Sequence, residues 1–315
     1  MALDTTSTLT ALMQEYYDKL FLERAKPTLV MYDHGQKRSV PLGEGKVVRF
    51  TKYTSLAKVT TALTEGANPS NTNLSASTLS TTIEEWGAKA EIASFVSLTA
   101  LDRNIKEKVE LFGDQAGLSI DWQIMSEVAS NATEQIANDA TLSDVCASSV
   151  TASDVLNMTE IRLSLRSLKI SKAMRYPDGY FVGVLNPNSE YDFSKDTEWV
   201  DSGKYKDNTR LYTGEIGKWF GIRFVGTTEP LRMVAGGTLS QADAGDIYSN
   251  LIMGKHAYGV VELEGQGKRI IVKTPGPHST YDALNRFSTC GWIALFKAKM
   301  LDSSWVINIK SGVSA

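Results

Sequence analysis

Apolar and polar positions along this chain fall into runs of different period, and each run predicts an element. Leu9, Leu12, Met13, Tyr16, Leu20 and Phe21 recur at three- and four-residue spacing behind Thr and Ser, and Pro27 follows them. That spacing predicts an amphipathic helix ended by the proline. Its apolar face must dock, and a later part of the same chain and a neighbouring subunit are equally open as its support. "TLVMY" (28–32) then predicts a short strand, "PLGEGK" (41–46) a turn, and "VVRFTKY" (47–53) a second strand.

The next run changes character. From Gly66 to Ile83 there is no charged residue, and eight of the thirteen residues from Ser70 to Thr82 are Ser or Thr. Beyond it, Trp86, Ala88, Ala90 and Ile92 alternate with Gly87, Lys89 and Glu91, a period of two that predicts a half-buried strand. Two strands joined by an uncharged Ser/Thr/Asn segment read as an extended hairpin with "WGAKAEIASFV" as its return arm. A two-stranded ribbon is at best marginally stable alone, so it needs support from another surface.

Residues 102–138 carry the strongest helical signal. Leu111, Leu118, Met125 and Ala132 lie seven apart, interleaved with Gln115, Trp122, Ala129 and Ile136. A helix over 111–136 would be about 39 Å long, weakened at its start by Gly113 and Gly117. Few flanking charges argue for a helix lying across a sheet rather than a coiled coil. After a Ser/Thr-rich boundary, Val155, Met158, Ile161, Leu165 and Leu168 predict a second helix capped by Ser153 or Asp154, with Arg162, Arg166 and Lys169 outward. A Pro-Asp-Gly turn, a buried strand (180–185), an Asn-Pro turn and the Gly-punctuated stretches "IGKWFGIRFVGTTEP", "HAYGVVEL" and "RIIVKT" follow. The tail, "CGWIALFKAKML" to "SWVINIK", reads as a helix or a strand pair.

Length and composition narrow the class. A chain of 315 residues suffices for two domains, and 42% hydrophobic with 22% charged residues is ordinary for a globular protein. A net charge of -3 argues against a general binder of nucleic acid or anionic membrane. Two distant cysteines, Cys146 and Cys290, read as reduced thiols of a cytosolic compartment. The N-terminus lacks the basic start of a signal peptide, no window approaches the ~20 apolar residues of a membrane helix, and no trimmed leader is expected.

Candidate chemistry is sparse. His34, His256 and His278 are the only histidines, none at metal-ligand spacing from another donor. There is no nucleophile elbow, Walker A motif or H-E-x-x-H. "GEGK" (43–46) and "GQGK" (265–268) precede strands rather than helices, so they read as hairpin turns, not phosphate cradles. Glu84 and Glu85 are adjacent and point to opposite faces of a strand. No cofactor and no catalytic residue is assigned. A hydrolase with a nonlocal active site under a loop at 64–82 is the enzyme alternative.

The order of parts carries a resemblance. "SVPLGEGKVVRFTKYTSLAKVTTALTEGANP", "IEEWGAKAEIASFVSLTALD", "YTGEIGKWFGIRFVGTTEP", "GKHAYGVVEL" and "DALNRFSTCGWIALFKAKML" resemble, in collinear order, the major capsid proteins of tailed bacteriophages. Within that fold, which encapsulins share, the chain is similar to the podophage N-four type. The resemblance implies an α+β capsid fold divided into an N-terminal arm with first strands (1–54), an extended loop (55–100), a peripheral domain with its spine helix (101–152), an axial α/β domain (153–285) and a return (286–315).

It further implies a virion shell of many copies assembled in the host cytoplasm, with a portal and possibly scaffold or decoration proteins. Packaged duplex DNA would be touched weakly on the inner face, and no membrane is involved. An encapsulin-like compartment is the other shell alternative. In such shells the arm and loop cross onto neighbours, which makes Leu9, Leu12, Tyr16, Glu65, Asn68, Asn71, Asn73, Leu74 and Leu79 the expected intersubunit contacts.

Overall fold

The computed structural model describes residues 10–26, 29–54, 56–63, 65–66, 68, 71–93, 104–137, 154–195, 217–227, 231–233, 239–240, 247–265, 267–273 and 286–312. Leu9, Cys146, His278 and most of the Ser/Thr-rich boundary lie outside them.

Among the described residues the α-helices are α1 (Thr10–Ala25), α2 (Val30–His34), α3 (Asn104–Asn131), α4 (Met158–Ile170) and α5 (Pro187–Lys195). The strands begin with β1 (Gln36–Val40), β2 (Val47–Tyr53), β3 (Ala76–Thr82), β4 (Glu84–Ala93), β5 (Thr133–Ile136), β6 (Phe181–Leu185), β7 (Gly217–Trp219) and β8 (Ile222–Gly226). They continue with β9 (Arg232–Met233), β10 (Leu239–Ser240), β11 (Ile247–Met253), β12 (Tyr258–Leu263), β13 (Lys268–Lys273), β14 (Phe287–Met300) and β15 (Val306–Ser311).

Among the described residues these strands form three sheets. β14 organises the first: β4 runs antiparallel along one edge, β13 and then β12 lie along the other, and β1 adds in parallel to β12. The second has eight strands around β11, which pairs with β15, β6 and β9; β8, β7, β10 and β5 complete it. The third is the two-stranded ribbon β2–β3.

Helix α3 lies across both larger sheets. Trp292 Nε1 of β14 donates to Gln115 Oε1 at 3.0 Å, and Asn308 Nδ2 of β15 donates to the Ala129 carbonyl at 3.2 Å. Its buried residues, Val109, Ala116, Ile120, Ile124, Met125 and Val128, share one core with alternate residues of β14, from Cys290 to Met300, and with Val182, Val184, Leu251 and Met253. The opposite face of the eight-stranded sheet carries a second core. There Ile161, Leu165 and Leu168 of α4 and Phe193 of α5 meet Phe181, Ile222, Phe224, Ile252, Ile307 and Ile309. Period-two alternation along β6, β11 and β15 thus feeds two cores from one sheet.

Several expectations are corrected. Residues 30–34 form a helical turn, not a strand, because buried Asp121 accepts the backbone N–H groups of Met31 and Tyr32. A carboxylate supplied from α3 satisfies the amides that a helix start leaves open, overriding a β-prone composition. The apolar stripe of α3 is displaced from the heptad series, and Leu111 is exposed. The helix ends at Asn131, and Thr133–Ile136 becomes β5 because β15 offers a parallel edge. Asn157, not Ser153 or Asp154, caps α4, its side chain accepting from Glu160 N.

Asn186-Pro187 opens α5 instead of making a free turn, with Asn186 Oδ1 accepting from Ser189 N. His256 sits in the turn before β12, at φ 61. Neither glycine motif is a hairpin. β1 and β2 belong to different sheets, and β12 and β13, which flank the second motif, follow one another along the same edge of β14 instead of pairing. The tail resolves as two strands.

Candidate assembly surfaces

The ribbon differs from the expected hairpin in its return arm. β2 pairs antiparallel with β3, from Val47↔Thr82 to Tyr53↔Ala76, so half of the Ser/Thr-rich run is itself strand. β4 leaves the ribbon after Ile83 and pairs for its whole length with β14, placing Trp86 opposite Ala294. Apart from the buried Thr81, the Thr and Ser residues of β3 lose little by facing water, whereas the alternating apolar face of β4 needs a covered sheet.

The base of the ribbon is fastened to the body by a small core and flanking polar contacts. Phe50, buried on the inner side of β2, stacks over Gly259 of β12, and a Cβ at Gly259 would lie 2.7 Å from the ring. Val40, Val48 and Val261 complete this small third core, with Leu79, Ile83, Leu263 and Leu301 against it. Lys52 Nζ meets Asp302 Oδ2 at 2.5 Å, and Arg38 Nη1 donates to the Arg49 carbonyl at 2.8 Å.

Beyond the base, no described residue covers the ribbon tip. The described residues from 54 to 75 have no helix or strand and are all exposed. Among them Leu56, Val59, Leu63 and Leu74 are large apolar side chains in water. Glu65, Asn68, Asn71 and Asn73 lie exposed beside them. Leu79 is placed differently: half-buried, it faces the third core.

The arm docks on its own chain through one face of α1. Phe21 and Ala25 are buried, and α1 crosses α3 so closely that a Cβ at Gly113 would lie 2.8 Å from the Phe21 carbonyl oxygen and from Arg24 Cβ. Arg24 pairs with Glu110 at 3.0 Å, and Asp18 Oδ1 accepts Ile270 N. Leu12 falls within α1, and Tyr16 stands exposed on the other face with Leu22.

Among the described residues the titratable groups form no catalytic constellation. Burial lowers the pKa of His34 and, less deeply placed, of His256. It pushes the Cys290 thiol up to about 11, which keeps it protonated and unreactive. Among the described residues no three His, Cys, Asp or Glu side chains cluster as metal ligands, and no helix is long and apolar enough to cross a membrane.

The sequence profile of the family described as "Phage capsid protein" matches residues 124–300, more than half of the chain. Among curated proteins none shows significant sequence similarity to the chain. Solved structures share the fold at low identity. The capsid of cyanophage P-SCSP1u matches with TM-score 0.64 at 16% identity over 91% of this chain and 89% of that one. The capsid of Ralstonia phage GP4 matches with TM-score 0.67 at 14% identity, covering 89% and 87%. A virus-like particle from Pyrococcus furiosus matches with TM-score 0.54 at 10% identity, covering 94% and 99%. The family match carries the conclusion: the chain belongs to the phage capsid protein family and is a structural, non-enzymatic subunit of a phage head shell.

Proposed function

We propose that this subunit closes its shell through the ribbon β2–β3 with its tip and through the exposed face of the arm, each lying on a neighbouring copy. The observation that carries this is the tip. Leu56, Val59, Leu63 and Leu74, from 59 to 86% exposed, extend from a ribbon anchored at its base by the small core around Phe50 and by the Lys52–Asp302 pair. Apolar side chains on an uncovered loop lower the free energy once another surface takes them from water. The nearly uncharged segment around them loses little by desolvation. Glu65, Asn68, Asn71, Asn73 and Leu74 would touch the neighbour, as would Leu9, Leu12 and Tyr16 of the arm, while Leu79 would stiffen the base.

The finer reading is the podophage N-four type. It divides the chain into arm (1–54), extended loop (55–100), peripheral domain (101–152), axial domain (153–285) and return (286–315). β12 and β13 fall in the axial range, yet hydrogen-bond along β14, which would couple the two domains mechanically. A portal, possibly scaffold or decoration proteins, and duplex DNA held weakly by a chain of net charge -3 complete the partner set. Purified subunit, concentrated alone or with co-expressed phage proteins, should give closed polyhedral particles by sedimentation and electron microscopy. A protein that stays monomeric under all assembly conditions refutes the proposal.

A further inference from the structure

A groove on the outer side of α4 has a chemistry unlike the rest of the molecule. Between residues 161 and 177 there are five cations, Arg162, Arg166, Lys169, Lys172 and Arg175, and no acid. The other residues then hold 28 of the 33 cations against all 36 acids, a balance of -8. All five cations are exposed, and Arg166, Lys169 and Lys172 make no ion pair among the described residues.

The groove also has an apolar floor. Arg162, Arg166 and Lys169 line it with Leu165, Ile170 and Phe220, and Ile170 is 72% and Phe220 60% exposed. Phe220 heads the two-residue turn between β7 and β8 at φ 46, a left-handed position where a bulky residue is costly. Its ring packs against Trp219 at 4.3 Å, and the Arg162 guanidinium lies 5.5 Å from both rings. An aromatic held in a strained turn beneath a stacked arginine resembles the preorganised centre of a protein interface, where aromatics and arginine concentrate. Duplex DNA would match the cations but would leave Phe220 and Ile170 without a partner, since such interfaces are more polar.

We infer that this groove is a socket for a second copy of the chain, and that the exposed face of α1 is what it receives. That face carries Glu15, Tyr16, Leu22 and Glu23, all exposed, with Lys19 among them. It therefore offers two carboxylates to Arg166 and Lys169 and two apolar side chains to Phe220 and Ile170. The inference rests on the shell reading and names where the arm would seat.

The test combines charge reversal with charge exchange. Arg166→Glu with Lys169→Glu should leave the melt of the free subunit unchanged, because both side chains are exposed, while lowering the yield of sedimenting particles at least about tenfold. Adding Glu15→Lys and Glu23→Lys to that protein should restore particles. In particles co-assembled from Tyr16→Cys and Phe220→Cys subunits, oxidation should give a covalent dimer that neither subunit forms alone. Undiminished particle yield from the double Glu variant overturns the socket while leaving the shell reading intact; a wild-type protein that never assembles refutes the shell reading itself. If the double Glu variant assembles normally and only retains a 20-base-pair duplex less well, about two phosphate contacts being lost, the groove is a nucleic-acid face and the inference is wrong.

Discussion

Asp121 Oδ1 accepts the backbone N–H of Met31 at 2.6 Å, tying the long helix α3 to the short helix α2 at the root of the arm. Asp121 is 1% exposed, its Oδ2 has no hydrogen-bond partner among the described residues, and Asp33 adds a nearby negative charge. Burial outweighs the backbone amides and raises the carboxyl from an ordinary 3.8 to about 7. The neutral form is therefore the one the fold favours. Its contribution is complete below the unfolded value near 4 and is lost as pH rises through 7.

Asp121→Asn keeps an acceptor for Met31 and removes the ionisation. The Tm of the native protein should fall from pH 5 to pH 8.5 relative to that of the variant, by a stability difference on the order of 2–4 kcal/mol. Parallel Tm curves across that range would show that Asp121 does not titrate as its burial implies.

Gly113→Ala should destabilise despite a gain in helix propensity of about 1 kcal/mol. The new methyl would stand 2.8 Å from the Phe21 carbonyl oxygen, so α1 must move as a unit. A net loss of about 1–2 kcal/mol is expected, read as a lower Tm and as faster proteolytic removal of α1. An unchanged cleavage rate would mean that the helix crossing accommodates the methyl.

Replacing residues 56–75 by a short Gly-Ser turn should spare the subunit melt. Those described are all exposed, and halving a loop changes closure entropy by only about 0.6 kcal/mol. Particle formation should be lost. Extending the deletion to residue 82 removes β3 and strips Leu79 and the β2 ladder from the third core, so that longer deletion should lower the melt as well. Equal melts for both deletions would contradict the split between tip and ribbon.

Phe50→Ala and Trp86→Ala separate two kinds of anchoring. Phe50 is 5% exposed and holds the ribbon over Gly259, so its loss should cost about 3–4 kcal/mol and free the ribbon to proteolysis. Trp86 is half-buried against the main core. Its removal should cost less, about 1–2 kcal/mol, since part of the ring already meets water, and the ribbon should stay protected. A ribbon cleaved faster in Trp86→Ala than in Phe50→Ala would reverse these roles.

Period and short-range chemistry make part of this protein legible from its residues alone. The alternation of Trp86, Ala88, Ala90 and Ile92 is the observed inner face of β4, and Met158, Ile161, Leu165 and Leu168 are the buried face of α4. The uncharged tip was legible as chain unable to build a core, and the outward cations of α4 as a surface. These are properties of residues a few positions apart.

Which partner each element takes follows from long-range packing. "TLVMY" became helical at Val30 because Asp121, ninety residues away, supplies an acceptor that no local pattern announces. The Ser/Thr run and the alternating run were one arm in sequence. They part at Ile83 because β14, some two hundred residues later, offers β4 an edge and a covered face, while β3 has only β2. Thr133–Ile136 left the helix for the same kind of reason, an open edge on β15. The groove was invisible for want of Phe220, which a turn between β7 and β8 brings to α4. Periodicity states that a face must be buried. Against what it is buried depends on long-range packing, which a local pattern does not contain.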